Sequence, residues 1–555
     1  KNICRSIVFI SFLFLIIFPA HRSFAIEHKL PGQNLTENDR FATSVAVDGD
    51  YVVIGTPGDN NRQGSVSIFS RNQDGTNAWG LVIQLSAFDG SSNDVFGNSV
   101  AISGQYVIIG APGNDDSGTD AGAAYIYARN QGGNDHWGLV ATLLPETTMD
   151  QSNFGSAVTI SGNYAVVGAP GDDDNDTDAG AIYIYARNQG GADNWGLMEK
   201  LYAEDSIFID GNPDNFGASV AIDGDYTIIG APGTDDGSID SGVAYIFYRN
   251  QEGNNNWGQQ AKLAASDGGA YYHFAEAVSI SGSIALVGSA VDSNSNGSQA
   301  GAAYFFYQNL GGTDNWEEQS KVIASDGNTY DYFGTSVAIS DNYAIIGSPG
   351  ADIQEPRWGE GAAYILGRNQ GGTDNWGEVD KLTASDGDKW DFFGTSVAIN
   401  GGYDAVVGTP DKDDNTGAAY VFDHNENNSA ISVGSAAGFV TVNVSATALL
   451  TLQVNTSNTH NDLPAQTWLV FMLVKGVQTS SLYLLSNTAV KEVTATTNFD
   501  NSQFTFTGTP AQTLVTLHMA DLGLQSGDNF YYAYAYSTSD ISGVIIENIV
   551  EINVQ

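Results

Sequence analysis

Residues Asn153 to Trp195 read NFGSAVTISGNYAVVGAPGDDDNDTDAGAIYIYARNQGGADNW. The stretch holds a Phe-Gly pair, an alternating run, a Ser-Gly-Asn turn, a second apolar run ending in Gly-Ala-Pro, an acidic loop, a third apolar run and a Gly-rich loop closed by Trp. The runs are short, rich in β-branched and aromatic residues, and bounded by Gly, Asn, Asp and Pro. That is the pattern of strands joined by turns. No segment of the repeat shows a sustained helical period.

Near-copies of this stretch lie on both sides. The opening Phe recurs at Phe41, Phe96, Phe154, Phe216, Phe274, Phe333 and Phe393, at intervals of 55 to 62 residues. The Gly ending the second run recurs at Gly55, Gly110, Gly168, Gly230, Gly288, Gly347 and Gly408, followed two residues later by Pro except at Ala290. The third run recurs as SVSIF, AAYIY, AIYIY, VAYIF, AAYFF, AAYIL and AAYVF, and Trp79, Trp137, Trp195, Trp257, Trp316 and Trp376 close the first six copies. A fourth run follows each Trp and ends in Lys-Leu or a variant of it, as at Lys381-Leu382. Seven units of four strands predict an all-β chain whose repeat closes into a seven-bladed β-propeller. The seventh copy lacks its Trp and fourth strand. Glu27-His28-Lys29-Leu30 precedes Phe41 as Asp380-Lys381-Leu382 precedes Phe393. The N-terminal strand is therefore expected to complete the last blade and leave no open edge.

The Phe-Gly and Gly-Ala-Pro elements in sevenfold repetition resemble the FG-GAP repeat family, which includes the propeller of integrin α-subunits. The wording is closer to the bacterial secreted branch, with FGxSVAISGxY, GAPGDDD, GAAYxY and KLxASDG segments, and the resemblance spans Glu27 to His424. It implies an adhesive or binding role. The calcium loop of integrins does not carry over. It lies between the Phe-Gly and Gly-Ala-Pro strands, where this chain has only Ser103-Gly104-Gln105 or Asp223-Gly224-Asp225.

Meander topology puts the loop between strands two and three on the same face as the link to the next blade. Both are acidic. The loops carry Asp115, Asp116 and Asp120; Asp172, Asp174, Asp176 and Asp178; Asp235, Asp236 and Asp240; Asp292, Asn294 and Asn296; and Asp411, Asp413 and Asn415. The first (Asp59, Asn60, Asn61) and sixth (Asp352, Glu355, Arg357) are degraded versions, while the links add Asp89, Asp94, Asp267, Asp326, Asp331, Asp386 and Asp391. Alternating carboxylates in a Gly-rich loop suit a hard cation, so calcium is the expected cofactor. Asp172 to Asp178 and Asp292 to Gly297 match best. The competing reading is that Asp and Asn serve as turn residues. On the opposite face RNQGGTDNW recurs, with Arg71, Arg129, Arg187, Arg249 and Arg368. There the Trp reads as interblade packing and the Arg as an acid's partner.

Charge narrows the partners. The chain has 64 acidic and 20 basic residues, a net charge of −44. Such a surface excludes nucleic acid and anionic membranes as partners and favours cations, basic partners or a saline habitat. Lys1 and Arg5, the apolar run Ile7 to Phe18, and Ser23-Phe24-Ala25 read as a secretory leader cleaved after Ala25. An extracellular, cell-surface or periplasmic location follows, with no later segment apolar enough to span a membrane. Cys4, the only cysteine, lies in that leader. Disulfides and cysteine chemistry are therefore excluded from residues 26–555.

The expected domains are 1–25 (leader), 26–428 (propeller) and 429–555. In the last, the repeat stops and eight acidic residues and two Lys remain. Runs such as FVTVNV, TWLVFMLV and NFYYAYAYS predict a β-sandwich. No GxSxG, HExxH or P-loop motif occurs, and the six His residues outside the leader are scattered. Paired carboxylates leave glycoside hydrolysis open. Three functions follow in order: a binding or adhesion protein taking an extracellular protein or glycan; a structural subunit of a surface layer or filament, assembling through the C-terminal region; and a carbohydrate-active enzyme.

Overall fold

The computed structural model describes residues 26–423, apart from 74, 76–77, 134, 146–149, 176–178, 206–212, 252, 254, 353–358, 371 and 402–403, and nine strands between 431 and 554. The expected leader lies outside the described residues. The chain divides into two compact units, Lys1–His424 and Asn425–Gln555.

The first unit is a ring of seven four-stranded antiparallel sheets. In the third blade the strands are Ala157–Ser161, Tyr164–Ala169, Ala181–Ala186 and Gly196–Leu201. The first strands lie side by side around the ring, the seventh back beside the first. In the seventh blade Ser396–Ile399, Ala405–Thr409 and Ala418–Asp423 are completed by Ile26–Leu30, in the order fourth strand from the N-terminus outward of the third. Ile26 pairs with Asp423 and Leu30 with Ala419, so the N-terminal strand completes the last blade, as the sequence predicts.

The core lies between blades, not within them. One cluster joins Ile108, Ile126 and Leu143 of the second blade to Phe154, Tyr183 and Trp195 of the third. Another seals the ring by joining Leu30, Val406 and Val421 to Phe41, Phe69 and Trp79. Both faces of every sheet are thus covered, which explains the runs of apolar residues without clean alternation.

The two motif glycines meet at the blade seam. A Cβ on Gly168 would lie 2.0 Å from the carbonyl oxygen of Gly217, the Phe-Gly glycine of the next blade. Any side chain there would push two blades apart. Phe154 in turn packs edge-on against Tyr183, with ring centroids 5.0 Å apart. Phe-Gly and Gly-Ala-Pro recur together because each is half of one contact.

The second unit has a six-stranded sheet, with Phe439–Val444 and Ala489–Val493 at its edges, and a three-stranded sheet. Phe439–Val444 runs parallel to Ile545–Val554. The sandwich expectation turns on side chains that lie outside the described residues.

Candidate functional site: two unlike rims

The third strand of blades two to seven carries a Tyr at its centre: Tyr125, Tyr183, Tyr245, Tyr304, Tyr364 and Tyr420, all buried. Each ring is held against a motif Phe, and its hydroxyl reaches the acidic rim. There it donates to Asp89 (2.9 Å), Asp172 (2.7 Å), Asp205 (2.8 Å), Asp267 (2.9 Å), Asp326 (2.8 Å) and Asp386 respectively. Burial and these carboxylates hold the phenols far above their ordinary pKa. They are donors at any physiological pH.

Strand register supplies the counter-charge. Tyr183 pairs with Lys200, Tyr245 with Lys262, Tyr304 with Lys321, Tyr364 with Lys381 and Tyr420 with Lys29. Paired residues share a sheet face, so the Lys lands over the Tyr ring, as Lys200 does at 4.9 Å from the Tyr183 centroid. Its ammonium then reaches the same carboxylates. Lys200 lies 2.7 Å from Asp172, Lys262 2.7 Å from Asp205, Lys381 2.7 Å from Asp326 and Lys29 2.6 Å from Asp386. Lys321 bridges Asp267 at 2.7 Å and Asp292 at 2.8 Å. Burial works against the Lys321 ammonium, but the hydrogen bonds to Asp267 and Asp292 outweigh it and raise its pKa. Asp326 is lowered by Lys381 and Tyr364 despite its burial.

The sequence-selected loop residues take three roles. The first is turn formation. Asp115 and Asp235 accept from the backbone N–H groups of Asp120 (2.8 Å) and Asp240 (2.7 Å), and Asn294 accepts from that of Asn296 (2.9 Å). Asp116 donates its N–H to Asn114. The second is pairing with Lys: Asp172 and Asp292 as above, Asp174 with Lys200 at 2.5 Å, and Asp236 at 3.2 Å from Lys262. The third is seam closure. Asp411 pairs with Arg40 at 3.0 Å, and Asn415 donates to Asn38 at 3.1 Å beside the left-handed turn at Asp413. Asp176 and Asp178 lie outside the described residues. No group of three or more His, Cys, Asp or Glu among the described residues is arranged to hold a metal ion.

The second blade departs from this plan. Thr142 stands opposite Tyr125, where blades three to seven place Lys. Asp94 there is buried. Its pKa is raised first by that burial and then by the charges of Asp115 and Asp116, with Asn114 opposing.

The opposite rim is formed by the strand one–two turns and the RNQ loops. Arg129, Arg187 and Arg249 stack on Tyr51, Tyr106 and Tyr164 of the preceding blade at 4.8–5.0 Å. Arg187 and Arg368 also bind Asp193 and Asp374. Trp137, Trp195 and Trp257 are fully buried between blades. At the ring closure Arg71 binds Asp50 (3.2 Å) and Asp423 (2.9 Å), the latter also 3.3 Å from His28. An open polar hollow of about 430 Å³ lies on this side, lined by Asp223, Ser281, Asp341, Tyr343 and Arg368.

The spacing of acids within a loop made the carboxylates visible in the sequence, but not their partners. The recurring Lys of the fourth run was the available signal, because it falls opposite the recurring Tyr once the strands are registered.

Fold and rims together define a closed, all-β repeat propeller. The FG-GAP repeat profile matches residues 26–69, 79–127, 137–185, 195–247, 257–306, 316–366 and 376–422, more than half of the chain. The chain belongs to the FG-GAP repeat family. No curated protein matches it. Similar solved structures include the periplasmic gluconolactonase PpgL of Pseudomonas aeruginosa, at 12% identity and TM-score 0.37, covering 63% of this chain and 87% of that one. Sqt1 from Chaetomium thermophilum matches at 10% identity and TM-score 0.38, over 67% of this chain and 82% of its own. The β-propeller domain of the Trilobed protease from Pyrococcus furiosus matches at 9% and 0.36, over 66% and 88%. Likeness at that level carries no argument about activity. No helix among the described residues is long and apolar enough to cross a membrane.

Proposed function

We propose that this chain is an exported binding protein whose acidic rim engages an extracellular protein or glycan. One observation carries the reading. The rim carboxylates recur blade by blade, tied to Tyr in six blades and to Lys in five of those. Such repetition builds a broad, fixed surface, whereas catalysis needs a single asymmetric constellation. The leader-like start and the acidic surface support an extracellular setting. The test is binding of residues 26–555 to a panel of immobilised extracellular proteins and polysaccharides. A rim variant (Asp116→Ser, Asp236→Ser, Asp388→Ser) should lose binding, and an opposite-rim variant (Asp193→Ser, Asp314→Ser) should keep it. The reverse pattern sinks the reading. Turnover of a polysaccharide, abolished by one Asp→Asn change, would point to the enzyme instead.

Calcium enters this proposal at one place. In blades three to five a Lys ammonium already sits on the loop or link carboxylates, and those sites fit Lys rather than a metal. In blade two no Lys stands opposite Tyr125, and Asp115 and Asp116 burden the buried Asp94. Calcium at that loop should raise the melting midpoint by mass action, roughly 2–3 kcal/mol at a hundredfold excess over Kd. Thr142→Lys should remove the response. Identical melting curves in chelator and millimolar calcium would end the calcium proposal. The second unit is proposed as an assembly module. It is tested by whether the full chain forms calcium-independent polymers in size analysis.

A further inference from the structure

Besides Phe88 in the link after the first blade, three large aromatic side chains stand exposed on the acidic rim: Tyr271 at 56%, Tyr330 at 55% and Trp390 at 53% of their full surface. They occupy one repeat position, three residues before Phe274, Phe333 and Phe393, in three consecutive blades. All three have left-handed backbones, with φ of 63°, 68° and 68°. The same position holds Asn38, Asn93 and Gln151 in the first three blades, also left-handed, with φ of 70°, 74° and 64°. Asn tolerates that region, whereas a bulky aromatic there is an outlier that stores strain. The backbone cannot relax away from it. The N–H of Tyr271 donates to the Ile239 carbonyl at 2.8 Å and that of Tyr330 to the Ser298 carbonyl at 3.0 Å, which fixes each link to the preceding blade.

Burial does not explain the rings, since over half of each faces solvent. Local preference does not explain them either, since it favours Asn. In blades six and seven a second ring stands behind the first: Tyr332 lies 6.3 Å from Tyr330 and Phe392 6.1 Å from Trp390, both tilted. These backing rings limit the swing of the exposed ones. A rigid, exposed aromatic face suits a ligand with a flat apolar face of its own and hydroxyls at its edge. A pyranose is such a ligand. Its axial C–H groups pack on the negative face of the ring, and its hydroxyls find acceptors among the rim carboxylates. One ring per blade in three successive blades matches a ligand that itself repeats. The chain's charge of −44 turns away anionic polymers.

We propose that Tyr271, Tyr330 and Trp390 form a contact line for a neutral polysaccharide chain, each ring stacking on one sugar unit. The inference rests on the acidic rim being the binding face. The test is affinity electrophoresis of residues 26–555 in gels containing soluble neutral polysaccharides (a β-1,4-glucan, a β-1,3-glucan, a xylan), with heparin as the anionic control. At least one neutral polymer should retard the protein, and heparin should not. Tyr271→Asn, Tyr330→Asn and Trp390→Asn install the residue type found in blades one and two. Each should weaken retardation roughly fivefold or more, and the triple variant should abolish it. Melting midpoints should stay level or rise, because strain is relieved. A purely structural role would lower them. Retardation that survives in the triple variant overturns the inference, as does the absence of retardation by every neutral polymer. If the triple variant binds its polysaccharide unchanged while the Asp rim variant does not, the aromatic line fails and the rim reading stands. If both variants bind unchanged, the rim reading falls too.

Discussion

Asp331 in the sixth blade and Asp391 in the seventh occupy the same place, two residues before the motif Phe, and their surroundings answer them differently. Both cap a backbone N–H three residues upstream at 2.7 Å, that of Asn328 and that of Asp388. Both are buried. What differs is the residue four places after the Gly of Gly-Ala-Pro. In the seventh blade it is Lys412, whose ammonium is 2.7 Å from Asp391. In the sixth it is Ala351, and Asp331 Oδ1 has no hydrogen-bond partner among the described residues. Blades two to five solve the same problem by different means. The pair is Asp94 with Asn114, Ser152 with Asp172, Asp214 with Thr234, and Tyr272 with Asp292. Each of these has one acid at one of two positions. Charge under the rim is settled pair by pair, so a position read alone misleads.

The largest break in this comparison is removal of the seventh-blade cation. Lys412→Met leaves Asp391 ionised and buried without its partner. The expected loss is roughly 3–5 kcal/mol near neutral pH, read by denaturant unfolding. Asp391→Asn added to it should recover most of the loss, because no charge then remains to be buried. If Lys412→Met costs under about 1 kcal/mol, the pair behaves like an exposed one.

The sixth blade should show the mirror effect through pH. Burial, with Asp352 and Asp326 nearby, pushes the Asp331 carboxyl up to about 6 from its ordinary 3.8. A carboxyl with a raised folded pKa holds its proton more tightly in the native state. The contribution of this group to stability is therefore most favourable below about pH 4, falls as pH rises towards 6 and stays low above it. Asp331→Asn removes this penalty. The variant should melt higher than the parent at pH 8, by up to roughly 3 kcal/mol, and nearly level with it at pH 4. An equal difference at both pH values would assign the effect to packing.

How much of this was legible beforehand depends on the reach of the signal. The propeller was legible because seven copies repeat their turns and apolar runs. The closure was legible because Glu27 to Leu30 resembles the fourth strand that the seventh copy lacks. The Lys on Asp172 was not, because it comes 28 residues later and meets the loop only through strand register. Loop spacing recorded the acids and missed the ammonium. The exposed aromatics were hidden for another reason. Tyr330 and Trp390 sit among Asp and Gly, and only a positive φ separates a strained, outward ring from an ordinary turn residue.

The smallest prediction concerns a donor left over. The indole N–H of Trp316 donates to Gln260 of the preceding blade at 2.9 Å, whereas those of Trp137, Trp195 and Trp257 are buried without an acceptor among the described residues. Met198 occupies the corresponding place before Trp257 and packs against its cluster. Met198→Gln should stabilise by roughly 1 kcal/mol, seen as a small rise in melting midpoint. A fall would mean that the amide costs more to bury than the indole gains.

The strand that closes the ring also fixes how the ring would bear a load. Ile26 pairs with Asp423 and Leu30 with Ala419, so the chain enters and leaves the propeller at neighbouring points on the same end of one ladder. Tension applied between those two points would not shear the ladder's five residue pairs at once. It would peel them one after another, starting at Ile26 and Asp423, each step opposed by a single pair. Pulled from its ends the propeller is a zip, and its weakest direction is set by the strand that makes it whole.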